Sequence, residues 1–188
     1  MVFLVRIPAA MLLLLAALSH AAEGDPVAGK RKTVTCNACH GQSGFKSMTK
    51  LGGQGLAYLS AALHAYKEDR RVHATMRDVA HALSNKDIAD LAAYYASVPI
   101  VAAENITTVP AAVERCAACH GADGARPAAP EIALIAGQNA GYLDQVLREY
   151  KTGIRPHPVM QEQVRDLGDE QIAELVTWYA AQKGLSVK

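Results

Sequence analysis

The chain has 188 residues, of which 51% are hydrophobic, and it carries 19 basic and 18 acidic side chains for a net charge of +1. That length fits one medium domain or two small ones. The nearly equal numbers of basic and acidic side chains argue against nucleic-acid binding, which needs a basic face. Aromatic residues make up only 5% of the chain, which limits the core that its side chains alone can build.

The first 21 residues are predicted to be an export signal rather than part of the fold. Arg6 precedes an apolar run over 9–18, and the small residues Ser19 and Ala21 have the spacing that a signal peptidase reads. The apolar run is too short for a membrane span, which needs roughly 20 residues. We therefore expect cleavage near Ala21 and a mature protein in the periplasm, without a transmembrane span.

The next stretch of the chain is predicted to be helical. The motif CNACHG begins at Cys36, and apolar stripes at spacings of three and four residues run over 56–66 and 88–95. Such stripes are typical of helices with one buried face. Ser84, followed three residues later by Asp87, is a capping-box signature at the start of the second stripe. No alternating strand pattern is evident.

The same pattern then occurs a second time. CAACHG begins at Cys116, and RVHATM ending at Met76 recurs as RPHPVM ending at Met160. The offset between the copies grows from 80 to 84 residues because the second copy has a longer loop around PAAPEIAL. The segment between the copies, PIVAAENITTVP, has proline at each end and no helical stripe, as expected of a linker. The chain is therefore predicted to be all-α, with a first domain at 22–98, a linker at 99–110 and a second domain at 111–188.

All four cysteines belong to two Cys-x-x-Cys-His motifs, the attachment signature of c-type haem. Two intervening residues place the thiols one helical turn apart, which matches the porphyrin vinyl groups with which they form thioethers. A thioredoxin-like redox pair would need a βαβ context, and zinc would need two Cys-x-x-Cys pairs about 15–20 residues apart. The predicted sites are Cys36, Cys39, Cys116 and Cys119 for two covalently bound haem c groups, with His40 and His120 as proximal iron ligands.

The ligand on the other side of each iron stays open at this point. Met76 and Met160 are equivalent in the two copies, but so are His73 and His157, each three residues earlier. A methionine thioether is a soft ligand that favours ferrous iron and raises the reduction potential. The repeat alone does not choose between the two pairs.

The chain resembles the cytochrome c4 family of exported two-haem cytochromes over essentially its whole mature length. The resemblance rests on the two haem motifs, the GGQ and AGQ turns, the RVHATM and RPHPVM segments and the closing helices that begin near Leu83 and Leu167. It implies two tandem class I cytochrome c domains, each wrapped around one covalent haem, with Met76 and Met160 as axial ligands. It also implies that the first and last helices of each domain cross near the haem, beside Tyr95 and Tyr179.

The resemblance implies an electron carrier rather than an enzyme. Its redox partners would be membrane-bound respiratory complexes, with electrons passing from a quinol-oxidising complex to a terminal oxidase. One alternative is the di-haem subunit of a larger dehydrogenase, such as a sulfide-oxidising flavocytochrome. Another is an enzyme in its own right, a peroxidase or thiosulfate dehydrogenase, which would need an open iron or an unusual ligand.

The loop after each haem motif departs from the family pattern. Family members usually carry a proline there, whose carbonyl accepts a hydrogen bond from the proximal histidine. The second copy offers Pro127 and Pro130, whereas the first copy has no proline in this loop and Thr49 stands near the expected place. Such a bond tunes the basicity of the ligand, which gives the two haems a reason to differ in potential.

The charges are divided unevenly between the copies. Residues 22–98 hold ten basic and seven acidic side chains, and residues 99–188 hold eight and eleven. Lys30, Arg31 and Lys32 precede the first haem motif and are expected on the first helix. One explanation of this asymmetry is random drift of surface residues. The functional explanation is directional docking, in which the first domain faces an acidic partner.

Overall fold

The computed structural model describes residues 24–41, 48–102 and 108–186, so the predicted export signal lies outside the described residues. The regular structure in these ranges consists of helices, which confirms the all-α prediction. No helix in the described ranges is long and apolar enough to cross a membrane. The first copy contains α1 (Pro26–Lys32), α2 (Val34–His40), α3 (Leu56–Lys67), α4 (Ala74–His81) and α5 (Asn85–Ala96). The second copy contains α6 (Ala111–His120), α7 (Ala140–Thr152), α8 (Pro158–Val164) and α9 (Asp169–Ala181).

Each copy has its own core. In the first copy, α3 and α5 bury a small cluster made of Leu59, Leu91, Ala92 and Tyr95. In the second copy, a larger cluster draws on all four helices and consists of Val113, Leu143, Tyr150, Val164, Leu167, Ile172, Leu175 and Tyr179. The last helix of each copy packs against the first: α5 against α1, and α9 against α6.

The predicted capping box at α5 is confirmed. The Asp87 N–H donates to Ser84 Oγ at 3.1 Å, and the Ser84 N–H donates to Asp87 Oδ2 at 3.0 Å. At the equivalent start of α9, only the return bond is present, from the Gly168 N–H to Gln171 Oε1 at 2.9 Å. A glycine has no side-chain oxygen to satisfy the exposed amide groups of the first turn.

The prediction that Lys30, Arg31 and Lys32 lie on the first helix is confirmed, and that helix ends at Thr33, where the chain turns into α2. The Thr33 hydroxyl donates to the Lys30 carbonyl at 2.8 Å, a local bond that competes with helix continuation. The break lets α1 lie close against α5. A Cβ on Gly29 would stand 2.0 Å from the Asp90 carbonyl oxygen, so only glycine permits this approach.

A polar network centred on Asp90 holds α1 to α5. The Asp90 side chain is fully buried, and it accepts hydrogen bonds from the Asp25 N–H at 2.7 Å, from Lys32 Nζ at 2.6 Å and from Lys86 Nζ at 3.0 Å. Lys32 also pairs with Asp87 at 2.6 Å. Lys32 therefore belongs to the internal structure of the first copy rather than to a free docking surface.

The two copies meet along their turns and the end of the chain. The turns meet through the Gln54 and Gln138 side chains, each of which bonds to the backbone of the other copy. Next to them, Ala125, Leu134, Ala136 and Leu185 of the second copy form a third buried cluster, against which Ile100 of the linker packs. Gly52 and Ser186 exchange backbone hydrogen bonds of 3.0 and 2.9 Å as an isolated antiparallel bridge. The chain end thus ties the second copy to the first.

Candidate haem sites

Both attachment motifs lie at the end of a helix. His40 is the last residue of α2 and His120 is the last residue of α6. In an α-helix, a spacing of three residues places two side chains on the same face, so each pair of thiols faces one side. Cys36 packs against the first core and Cys116 against the second.

Burial keeps these two thiols protonated. Burial raises the pKa of Cys36 and of Cys116 above the ordinary value, and in both cases it is the largest contribution to the shift. The four cysteines form no disulfide with one another and are half-buried, except for the exposed Cys119. They are therefore available for thioether formation on both helices.

Each motif histidine is oriented by one backbone carbonyl. His40 Nδ1 lies 2.8 Å from the Thr49 oxygen, and His120 Nδ1 lies 2.8 Å from the Ala133 oxygen. Because a carbonyl only accepts, Nδ1 must carry the proton, which leaves the Nε2 lone pair free for a metal. Burial also lowers the pKa of both imidazoles, against the smaller opposing effect of these carbonyls. The rings are thus held neutral, as metal ligation requires.

The prediction that Pro127 or Pro130 supplies the second carbonyl is wrong, whereas Thr49 does fill this position in the first copy. Ala133 is the residue equivalent to Thr49 at the offset of 84, because the four extra residues of the second loop come before it. Any residue can offer a backbone carbonyl, so proline is not needed for this bond. The two histidines therefore have equivalent partners, a backbone carbonyl at 2.8 Å in each copy, and the expected reason for a difference in potential falls away.

The histidines and methionines considered as second iron ligands lie at the starts of α4 and α8, where the histidines cap the helices and the methionines do not. His73 and His157 are exposed N-cap residues, and their Nδ1 atoms accept hydrogen bonds from the N–H groups of Met76 at 3.2 Å and Met160 at 3.3 Å. A neutral imidazole that accepts through Nδ1 carries its proton on Nε2 and has no lone pair left there. The Met76 and Met160 side chains are half-buried, and Met160 packs against the second core.

Two tyrosines lie where the helices of each copy cross, as the resemblance implied. The Tyr95 hydroxyl donates to Asn37 Oδ1 at 3.3 Å, which joins α5 to α2. The Tyr179 hydroxyl lies 3.5 Å from the Gly121 oxygen, just after α6. Burial raises the pKa of both phenols far above the usual value, so neither is an acid or base at neutral pH.

Two glutamines lie beside the loops whose carbonyls accept from His40 and His120. The sequence alone did not point to these glutamines. Gln54 Oε1 accepts from the Leu134 N–H at 2.8 Å, and Gln54 Nε2 donates to the Leu134 oxygen at 2.9 Å. Gln138 makes the same pair of bonds with Lys50, at 2.8 and 3.0 Å. The available signal was a polar residue repeated in two otherwise Gly-rich and apolar turns, GGQ and AGQ.

The residues present fit a covalent haem in each copy. Two thiols on one helix face, a neutral imidazole with its Nε2 free and a small surrounding core provide the donor set that haem c attachment needs. A helical chain with two such sites defines a di-haem class I c-type cytochrome.

The comparisons with known proteins give the same class. The chain is 32% identical over 184 residues to cytochrome c4 of Pseudomonas aeruginosa, covering 87% of this chain and 91% of that protein. The crystal structure of reduced recombinant cytochrome c4 from Pseudomonas stutzeri matches with a TM-score of 0.71 at 25% identity, covering 87% of this chain and 100% of that chain. No family model matches the sequence.

A third similar protein carries a different description. The chain is 28% identical over 191 residues to a thiosulfate dehydrogenase electron acceptor of Thiomonas intermedia, covering 89% of this chain and 88% of that protein. On these findings the chain belongs to the cytochrome c4 family. The chain is accordingly an electron-transfer cytochrome with two covalently bound haem c groups.

Proposed function

We propose that the protein carries electrons between membrane-bound respiratory complexes and catalyses no reaction of its own. The observation that carries this proposal is the duplicated site, in which a neutral histidine follows two thiols on a helix in each copy. The haem, when bound, supplies the ferric–ferrous couple, and the chain supplies ligands, an apolar pocket and docking surfaces. We place the first domain at 22–98, the linker at 99–110 and the second domain at 111–188.

In this proposal the axial ligands are His40 with Met76 and His120 with Met160, and Cys36, Cys39, Cys116 and Cys119 form the thioethers. The capping role of the two rival histidines supports this assignment, because their Nδ1 atoms already accept backbone hydrogen bonds. The positions of the methionines support it too, because both side chains are half-buried and Met160 packs against the second core, whereas His73 and His157 are exposed.

The ligand assignment is tested by the weak red charge-transfer band of ferric haem bonded to methionine. Met76→Ala and Met160→Ala should each remove about half of this band. His73→Ala and His157→Ala are the matched controls and should leave the band in place. The assignment fails if the histidine variants abolish the band while the methionine variants keep it.

The proposed route runs from a quinol-oxidising complex to a terminal oxidase. Membership of a family of electron carriers supports it. Stopped-flow mixing of the reduced protein with the oxidase, and of the oxidised protein with the quinol-oxidising complex, measures both steps. Slow transfer at either step, in membranes where both complexes are active, would contradict the route.

A second candidate function is acceptance of electrons from a dehydrogenase of inorganic sulfur compounds. Similarity to the thiosulfate dehydrogenase electron acceptor of Thiomonas intermedia favours it over the sulfide-oxidising flavocytochrome that the sequence suggested. The discriminating experiment is reduction of the oxidised protein by a thiosulfate dehydrogenase and thiosulfate, compared with reduction by the quinol-oxidising complex. The faster donor identifies the function.

We also propose that the chain is exported to the periplasm and cleaved near Ala21. The charged start, short apolar run and small residues of the first 21 positions support this. Amino-terminal sequencing of the periplasmic protein should begin at or near Ala22. An intact Met1 on the purified haem protein would contradict cleavage.

A further inference from the structure

Gln54 and Gln138 each form hydrogen bonds with the backbone of the other copy, so the contacts between the two turns are reciprocal. Gln54 belongs to the first copy and bonds to Leu134 of the second, while Gln138 belongs to the second and bonds to Lys50 of the first. At the offset of 84, Gln54 is equivalent to Gln138 and Lys50 is equivalent to Leu134. The four bonds therefore form two copies of one arrangement.

Each of these contacts ends on the peptide group that orients a haem ligand. The Ala133 carbonyl, which accepts from His120 Nδ1, and the Leu134 N–H, which donates to Gln54, are the two ends of one peptide bond. In the first copy, the peptide between Thr49 and Lys50 accepts from His40 Nδ1 and donates to Gln138. A continuous hydrogen-bond chain thus runs from the histidine of each copy to a side chain of the other.

We propose that Gln54 and Gln138 are positioning residues that tune the proximal histidine of the opposite domain. Gln54 acts on His120, and Gln138 acts on His40. This inference rests on the proposed function in one respect, namely that the two histidines are the proximal iron ligands. The two domains then influence each other's reduction potential through hydrogen bonds, without any change of shape.

The physical basis is polarisation of the shared peptide. When the N–H of a peptide donates, electron density moves toward its carbonyl oxygen, which becomes a better acceptor, and successive hydrogen bonds strengthen each other in this way. A stronger acceptor at Nδ1 increases the basicity of the histidine as a ligand. More basic imidazole stabilises the ferric state, so each glutamine lowers the potential of the haem in the other domain.

Both glutamines are shielded from water, which strengthens their hydrogen bonds. Gln54 is 4% exposed and Gln138 is 3% exposed, so water does not compete for these bonds and the local dielectric is low. The amide orientation is also defined, because each Oε1 accepts a second backbone N–H, from Gly55 at 2.9 Å or from Asn139 at 2.8 Å. Each oxygen therefore faces donors, and each Nε2 faces a carbonyl.

Glycines at the same turns hold the glutamines in place. Gly53 and Gly137 have φ values of +88° and +67°, a region that favours glycine. Their N–H groups donate to the carbonyls of Tyr95 and Tyr179, both at 2.8 Å. The turn before each glutamine is therefore pinned to the closing helix of its own domain, which aims the side chain at the other domain.

The test is the pair of mirror variants Gln54→Leu and Gln138→Leu in the holoprotein, with each haem's potential read from its own NMR signals during a redox titration. Gln54→Leu should raise the potential of the second haem, held by His120, and leave the first unchanged. Gln138→Leu should do the opposite, and the double variant should raise both. Shifts confined to the haem of the mutated domain, equal shifts of both haems, or no shift would overturn the proposal.

The same samples separate this proposal from the ligand assignment. If the methionine–iron band is intact and the potentials do not move, the relay fails while the ligands stand. If either Leu variant does not fold, the unmodified protein still provides a test through hydrogen exchange. The Lys50 and Leu134 amide protons should exchange as slowly as those in the cores, and fast exchange of either would overturn the relay.

Discussion

At the residue scale, Asp90 marks the clearest difference between the two copies. Its carboxylate is buried among donors from both α1 and α5, whereas the equivalent Glu174 is exposed on α9. Burial by itself would raise the pKa of Asp90, but hydrogen bonds, first from Lys32 and then from the Asp25 N–H, hold it well below the ordinary value. Lys32 and Ser84 likewise lower the pKa of Asp87 to about 2.

These shifts predict an acid-sensitive first domain. A carboxylate with a depressed folded-state pKa stabilises the fold above its unfolded pKa, about 3.9, and this stabilisation is lost as the pH falls toward the folded value. Asp90→Asn should therefore cost about 2 kcal/mol near neutral pH and flatten the loss of stability below about pH 4. Denaturant unfolding followed by circular dichroism at several pH values measures both effects. Glu174→Gln is the control and should change neither, and an unaltered acid profile in Asp90→Asn would contradict the network.

The haem-binding residues show what local sequence can and cannot predict. The cysteines and histidines of the two motifs can be proposed from sequence alone, because thioether and iron bonding demand a fixed spacing within one helical turn. Spacing does not choose between Met76 and His73, since both recur in the repeat, and the resemblance favoured Met76. The N-cap role of His73 supports that proposal. Gln54 was missed because its partner is 80 residues away, and no spacing rule relates residues that meet only after folding.

At the scale of elements, the start of α9 lacks the N-cap hydroxyl that stabilises the start of α5. Gly168 has φ −76° and ψ 167°, which any residue can adopt, and a Cβ there would meet nothing closer than Gln171 Oε1 at 3.8 Å. Gly168→Ser should complete the capping box and reduce the flexibility of the unfolded chain. We expect a gain of about 0.5 kcal/mol, or roughly 1–2 °C in melting temperature.

The reverse change provides the matched control. Ser84→Gly should remove the Oγ acceptor from α5 and lower the melting temperature by a similar amount. Scanning calorimetry of the two variants beside the unmodified protein measures both shifts. A melting temperature that falls in Gly168→Ser would show that the second cap is not limited by its missing hydroxyl.

The helices themselves were largely predictable, whereas their boundaries near tertiary contacts were not. Apolar stripes and the Ser84 signature located α3 and α5, because both depend on residues within a few positions of each other. The break at Thr33 was not predictable from periodicity. It accompanies the close approach of Gly29 to Asp90, which is a contact across 61 positions of the chain.

At the scale of the whole molecule, the end of the chain adds one backbone bridge between the two domains. Ser186 exchanges backbone hydrogen bonds with Gly52 of the first domain, whereas the Leu185 N–H donates to the Ala136 oxygen within the second domain. Deleting residues 185–188 should remove this bridge and speed hydrogen exchange at the Gly52 N–H. The peptide N–H groups that donate to Gln54 and Gln138 are the control and should exchange as slowly as before. Unchanged exchange at Gly52 would contradict the bridge.

The charge asymmetry also belongs to the whole molecule, but fewer residues carry it than the sequence suggested. Lys32 pairs with Asp87 and Asp90, and Lys50 Nζ donates to the Gly137 oxygen. Lys30 and Arg31 remain exposed on α1. Replacing both with glutamine should slow association with an acidic redox partner and flatten its salt dependence. Stopped-flow measurements at several salt concentrations check this, and equal rates for the variant and the unmodified protein would leave the asymmetry without a docking role.

The reciprocal glutamine contacts give the chain an internal symmetry. An interface in which both sides present the same residues to each other is the kind that two identical subunits form about a two-fold axis. The two halves of this chain meet in that way inside one polypeptide. Loss of the glutamine in either half would leave a buried peptide of the other half without its partner. The cost of a substitution in one half therefore falls on the other half.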